Sequence, residues 1–175
     1  MFSDPQKIID SLPIAMGSSV ADLGAGVGAW SIPLAKKVGP SGKIYACEVQ
    51  QDMLVRIENE AKQHGVTNIQ TVWSNIENHQ GTKLRDASVD WVIAANVLFQ
   101  VEDRTGFIKE ISRILKPDGR VLLVDWKESF GNLGPHEKDV IHEQEAVVLF
   151  GNAGLRTIPL ELDGGSHHYA IVFRK

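Results

Sequence analysis

The stretch Val20-Ala21-Asp22-Leu23-Gly24-Ala25-Gly26-Val27-Gly28 decides the reading of this chain. Its first half is a short apolar run around an acid, as expected of a buried strand near its end. Its second half sets glycines at positions 24, 26 and 28. Lacking Cβ atoms, they adopt positive φ without steric cost and let a flat ligand lie against bare backbone. Ala29 to Lys37 then read as a helix. A strand, a glycine turn and a helix in succession build a nucleotide-type site at the carboxyl end of a parallel sheet. Lys43 to Glu48 is the next strand. It ends in Glu48, where a carboxylate can accept both hydroxyls of a ribose.

Two ligand classes fit this arrangement, dinucleotides and S-adenosylmethionine. The dinucleotide pattern places its third glycine later, where this chain has Ala29. Asp22 tilts the choice. A carboxylate there repels a pyrophosphate and attracts a methionine ammonium or a sulfonium.

Composition frames what surrounds the motif. The chain has 175 residues, one domain's worth, and is 43% hydrophobic and 23% charged, the balance of a globular protein with a sizeable core. A single domain over residues 1–175 is expected. The formal net charge is -4 and no basic stripe runs along the chain, which argues against a nucleic-acid partner. The lone cysteine, Cys47, excludes an internal disulfide framework and fits a reducing cytoplasm. Its place in the second strand favours a small buried core residue over a nucleophile. No apolar run approaches a membrane span, and Met1 to Pro5 lack the regions of a signal peptide. A cytoplasmic location without membrane partners is expected.

Strand-like and helix-like segments alternate along the chain, the signature of a mostly parallel sheet with helices on both faces. Strands are read at Ser19–Leu23, Lys43–Glu48, Ile69–Trp73, Val89–Ala94 and Arg120–Asp125, with helices over 51–63, 104–115 and 137–151. Lys116-Pro117-Asp118-Gly119 reads as the turn between the second of these helices and the fifth strand. The pattern then changes. Arg156–Leu162 and His168–Arg174 flank Asp163-Gly164-Gly165, predicting an antiparallel hairpin where a dehydrogenase would continue with a helix.

Four stretches in this order resemble the class I S-adenosylmethionine-dependent methyltransferases, of the small type similar to the quinone-biosynthesis and related small-molecule enzymes. They are the glycine turn, Tyr45-Ala46-Cys47-Glu48, Val89 to Asn96, and Ile114-Leu115-Lys116-Pro117-Asp118-Gly119-Arg120-Val121-Leu122. The resemblance spans about Ile8 to Arg174. It implies a Rossmann-like, seven-stranded, mostly parallel sheet closed by a C-terminal antiparallel hairpin. It implies S-adenosylmethionine as cofactor, bound among Asp22, Gly24, Ala25, Gly26, Glu48, Val49, Met53, Asn75, Ile76 and Asn96. In it Gly24 and Gly26 admit the amino-acid end, Asp22 holds the ammonium and Glu48 the ribose. Asn75 accepts from the adenine amino group, Ile76 packs on the purine, and Asn96 lines the methionine end.

Methyl transfer from a sulfonium is an in-line displacement with an activated leaving group, so positioning and water exclusion are the protein's main task. A base is needed only for an acceptor proton of high pKa. Asp125, His136 and His142 are candidates by position. Phe99 and Trp126 are expected to line the site of a small or medium-sized acceptor, with residues 126–135 or a partner subunit as its cover in a monomer or homodimer. No cluster with metal-ligand spacing is present in the sequence. The stretch after the fourth strand, Asn96-Val97-Leu98-Phe99-Gln100, lacks the Asn-Pro-Pro-aromatic signature of enzymes that methylate planar amino groups. A non-catalytic S-adenosylmethionine-binding module and a dinucleotide oxidoreductase are the rival readings.

Overall fold

A computed structural model describes residues 3–131 and 133–175. The strands are β1 (Ser19–Leu23), β2 (Lys43–Glu48), β3 (Ile69–Trp73), β4 (Val89–Ala95), β5 (Leu115–Trp126), β6 (Arg156–Ile158) and β7 (His168–Arg174). The helices are α1 (Pro5–Ser11), α2 (Ser31–Val38), α3 (Gln51–Gln63), α4 (Arg104–Ile114) and α5 (Glu143–Asn152). One sheet holds all seven strands in the order β3-β2-β1-β4-β5-β7-β6. The first five are parallel, whereas β7 lies antiparallel against both β5 and β6. The expected parallel sheet with an antiparallel close is therefore the architecture.

Side chains alternate between the two faces of each strand, and each face is buried by its own helices. Along β4, Trp91 and Ile93 pack with Ile8, Ile9, Trp30 and Leu34 from α1 and α2. Val92 and Ala94 point the other way and pack with Phe107, Ile108, Ile111 and Phe150 from α4 and α5. A smaller cluster of Ala25, Ala46, Leu54 and Ile57 seats α3 beside the glycine turn. Phe150 stacks on Phe173 with ring centroids 4.4 Å apart, fixing α5 against β7.

Most elements match the sequence reading to within one or two residues, and four depart from it further. Helix α1 was not anticipated, although Asp4 caps it by accepting from the backbone amides of Gln6 and Lys7, and Pro5 sits in its first turn. Strand β5 begins at Leu115, which pairs with Val89 before a register shift. The Lys116–Gly119 stretch is thus an irregularity at the start of the strand, with Asp118 at φ 64°, and not a free turn. Helix α5 begins at Glu143, not Glu137: Glu137–Asp139 make only a short 3-10 turn, Val140 and His142 are extended, and Val140 and Ile141 are buried. Strand β6 is three residues long, so a nine-residue connection (159–167) joins it to β7 in place of a tight turn.

The candidate cofactor site

The site forms where β1, β2 and β4 end side by side. Leu23 pairs with Cys47 on one flank and with Ala94 on the other, so the three chain exits are level. The turn after β1 folds back over the end of β2, with the Gly24 and Ala25 amides donating to the Cys47 carbonyl at 2.9 and 3.1 Å. Gly24, Gly26 and Gly28 all have positive φ, at 74°, 53° and 88°. The glycines are not equivalent. A β-carbon at Gly24 would lie 2.8 Å from Val97 Cγ2, whereas one at Gly26 would meet nothing within 4 Å. The backbone at Gly26 borders open space.

Glu48 is the keystone of this corner. It is 7% exposed. Its Oε1 accepts from the amides of Val49 and Gln50 at 2.8 and 3.0 Å, and its Oε2 from the amide of Gly26 at 3.0 Å. A carboxylate offers about four acceptor positions, so capacity remains for a ligand hydroxyl. Asp22 lies deeper, at 1% exposure, and its Oδ2 accepts from Ser31 Oγ at 2.6 Å. Burial raises its pKa to about 6; the Ser31 hydrogen bond opposes the shift and the Glu48 charge adds to it.

These elements enclose a cavity of about 380 Å³. Of the residues expected to hold a cofactor, Gly24, Gly26, Glu48, Val49, Asn75, Ile76 and Asn96 form its wall. Three do not. Asp22 is fully buried behind that wall, Ala25 is turned into the core with Leu54 and Ile57, and Met53 lies half-buried on α3. Asp22 can therefore reach a ligand only through its charge or through the turn it supports. Asn75 Oδ1 accepts from the Glu77 amide at 3.0 Å, which makes Asn75 a turn former as well as a wall residue. Gln50, Ser74, Val97, Gln100 and Val101 also line the cavity and were not anticipated. They arrive there through strand exits and a helical turn, which no local motif announces. Cys47 touches the cavity too, and burial holds its thiol well above the ordinary range, at about 12. Its reading as a structural residue stands.

Asn96 follows β4 with φ 56°, an uncommon conformation for a side-chain-bearing residue. Its Oδ1 is buried without a hydrogen-bond partner. A buried acceptor left unmatched on a cavity wall fits a ligand that brings a donor, such as an ammonium or hydroxyl.

A second cavity of about 490 Å³ shares Gln100 and Val101 with the first and is lined further by Phe99, Arg104, Pro135 and His136. Phe99 thus lines the neighbouring cavity and not the first. Trp126 is not on either wall. It is 8% exposed, its ring sits 4.3 Å from that of His168, and the backbone of Gly134 presses on it at a distance that leaves no room for a β-carbon. Its expected role in lining the acceptor site is corrected to that of a packed floor.

The three base candidates are scattered. Asp125 is 1% exposed and both its oxygens accept backbone amides, Oδ2 from Leu98 at 3.0 Å and Oδ1 from Trp126 at 2.8 Å. It is closed to an acceptor, which corrects its reading as a candidate base. His136 is exposed on the wall of the second cavity. His142 is exposed at the start of α5 and borders neither cavity. Among the described residues, no three His, Cys, Asp or Glu side chains group as a metal site.

A parallel sheet whose last strand inserts antiparallel beside the fifth, with an acid of the second strand bonded into the glycine turn, is that of the class I S-adenosylmethionine-dependent methyltransferases. The chain belongs to the methyltransferase-domain family, whose profile matches residues 14–151. It is 32% identical over 145 residues to the ubiquinone/menaquinone biosynthesis C-methyltransferase UbiE of Hahella chejuensis, covering 82% of this chain and 57% of that protein. It is 30% identical over 112 residues to a demethylmenaquinone methyltransferase of a Geobacillus species, covering 64% and 47%. The chain thus spans about half the length of the curated relatives it matches. Among solved structures, an S-adenosylmethionine-dependent methyltransferase from Aquifex aeolicus superposes with a TM-score of 0.87 at 26% identity, covering 99% of this chain and 90% of that one.

Proposed function

We propose that this chain transfers the methyl group of S-adenosylmethionine to a small or medium-sized acceptor. The observation that carries the reading is the cavity at the ends of β1, β2 and β4. Its wall sets Gly26, Glu48 and the unmatched Asn96 Oδ1 in one space. In this reading Glu48 accepts the ribose hydroxyls while keeping the Gly26 amide, Asn96 Oδ1 accepts from the ammonium, and Ile76 and Val49 sandwich the purine. Asn75 orients the adenine edge. Asp22, beneath the turn, favours the cationic end through its charge. The bound cofactor supplies an activated methyl group on sulfur. The protein's residues contribute alignment and the exclusion of water.

The acceptor approaches from the second cavity, past Phe99 and Gln100. Of the three base candidates only His136 is on that wall, which also carries Glu102 and Asp139, and in this reading it takes up a proton when the acceptor has one to lose. The relatives named for quinone biosynthesis favour an acceptor with a planar, oxygen-bearing ring. The acidic balance disfavours nucleic acid, and no helix among the described residues is long and apolar enough to cross a membrane. A cytoplasmic monomer or homodimer completes the reading.

The direct test is a thermal-shift and calorimetry panel with S-adenosylmethionine, S-adenosylhomocysteine and NAD. Stabilisation by the first two and not by NAD is expected, by mass action on the folded state. Stabilisation by NAD alone would overturn the assignment.

A further inference from the structure

Asp125 is a buried acid that the transfer step, as read above, does not use. Its position is nonetheless central. It stands at the end of β5, and the chain it grips belongs to the exit of β4. Oδ2 accepts from the Leu98 amide at 3.0 Å and Oδ1 from the Trp126 amide at 2.8 Å, and the Phe99 amide lies close enough to act on the same carboxylate. Residues 96–101 are tied to β5 at one further point and braced by a bond of their own. The Asn96 amide donates to the Val124 carbonyl at 2.8 Å, and Gln100 Nε2 donates to the Asn96 carbonyl at 2.7 Å. This segment is the partition between the two cavities. Asn96 and Val97 face the first, Phe99 faces the second, and Gln100 and Val101 face both.

We propose that Asp125 is a positioning residue whose ionised carboxylate holds the 96–101 partition in the form that binds the methyl donor, so that donor binding and ionisation of Asp125 favour one another. The proposal rests on the reading of the first cavity as the donor site. A carboxylate accepts every amide that points at it; a protonated carboxyl turns one oxygen into a donor and loses grip on at least one of them. Burial raises the Asp125 pKa to about 6, with the Trp126, Leu98 and Phe99 amides and the Arg104 charge pulling against it. The charged and titratable groups that act on it are Arg104, from α4, and Tyr169, its cross-strand partner on β7. The equilibrium therefore lies where modest acidification shifts it. By linkage, a ligand that prefers the held partition must pull the Asp125 pKa down, and acidification through that range must weaken the ligand by the same factor.

The test uses the wild-type chain with S-adenosylhomocysteine as probe. Amide proton shifts of Leu98, Phe99 and Trp126 are followed by NMR from pH 8 to 5, without and with saturating probe. A common midpoint near pH 6 is expected without it. With the probe the midpoint should fall by at least about half a unit, the linkage equivalent of about threefold in affinity. Calorimetry on Asp125→Asn at pH 8 should show the probe bound about tenfold more weakly, with the three amides no longer titrating together. Asp22→Asn separates the two buried acids, because in that variant the common midpoint should persist. Absence of a titration at these amides, or a midpoint unmoved by saturating probe, would overturn the proposal, since a merely structural carboxylate gives that result. If wild-type protein fails to bind the probe in calorimetry, the donor-site reading itself falls and carries this inference with it.

Discussion

The carboxylate of Glu48 and the amide of Gly26, 22 residues apart in the chain, meet at 3.0 Å. The acid that closes β2 thus also shapes the glycine turn that closes β1. It serves the turn before any ligand arrives, and the spare acceptor capacity on the same group is what a ribose would use.

Glu48→Gln should weaken S-adenosylhomocysteine by about 1–3 kcal/mol, because an amide nitrogen would face a backbone N–H and one acceptor would be lost. Glu48→Asp, which keeps the charge but shortens the reach, should lose part of that. Calorimetry decides it: full affinity in a folded Gln variant would remove Glu48 from the binding site.

The glycines should separate. Gly24→Ala forces a β-carbon into Val97 on top of the strain of φ 74°, and should destabilise the fold by about 2–5 kcal/mol. Adding Val97→Ala should restore part of it, a coupling that denaturant melts of the double-mutant cycle will reveal. Gly26→Ala meets open space, so its stability cost should be only the strain of positive φ, about 1–2 kcal/mol, while donor binding falls. Equal effects of the two substitutions on stability would contradict the structure.

Asp22 predicts an unusual pH dependence of stability. Its pKa is about 6 folded, against 3.8 for an ordinary aspartate, so between pH 4 and 6 the folded state binds more protons than the unfolded one. This group therefore adds stability as pH falls through that window and withdraws it as pH rises. Asp22→Asn should be as stable as wild type or more so at pH 7, and should flatten this part of the stability profile between pH 6 and 4. Urea melts at pH 4.5 and 7 give the comparison.

Glu110 predicts the opposite trend. Its side chain is fully buried, and it accepts from Thr82 Oγ1 at 2.6 Å and Arg113 NH2 at 2.7 Å. Burial alone would raise its pKa, but the Arg113 guanidinium, then the Thr82 hydroxyl and the Thr82 and Gln80 amides, outweigh burial and hold it at about 2. The stability it contributes is present above about pH 4.5 and is lost as pH falls toward 2. Arg113→Met leaves a buried carboxylate without its cation and should cost about 3–5 kcal/mol at pH 7 by denaturant unfolding. Arg113→Lys should recover only part of it, having lost the two-pronged contact.

The parts of this site that the sequence makes legible are those set by local chemistry. Positive φ demands glycine at 24 and 26, and a strand ending in an acid is visible at Glu48. The frequent pairing of such strands in a parallel sheet then brings the two together. Gln100 and Val101 were not legible because they reach the cavity through the amides that Asp125 holds, a tertiary contact between residues 27 positions apart. Trp126 misled for a related reason: an aromatic at a strand end reads as site lining, yet His168 and Gly134 cover it from other segments. Helix α1 was legible in principle from Asp4-Pro5 and the buried pair Ile8 and Ile9. The helical pattern over 137–151 overruns the start of α5 because Val140 and Ile141 satisfy it while lying buried ahead of the helix.

The place of β7 between β5 and β6 bears on how the chain is made. Every residue of β6 is synthesised before its partner strand, and β5 finds its outer neighbour only when His168–Arg174 emerges from the ribosome. Until then the apolar run Val121–Val124 offers an unpaired edge to any other extended chain nearby. A pause in translation after β5 has emerged and before β7 has done so prolongs that exposure. Synonymous codon choice across this interval, which leaves the finished protein identical, should therefore change the yield of soluble product.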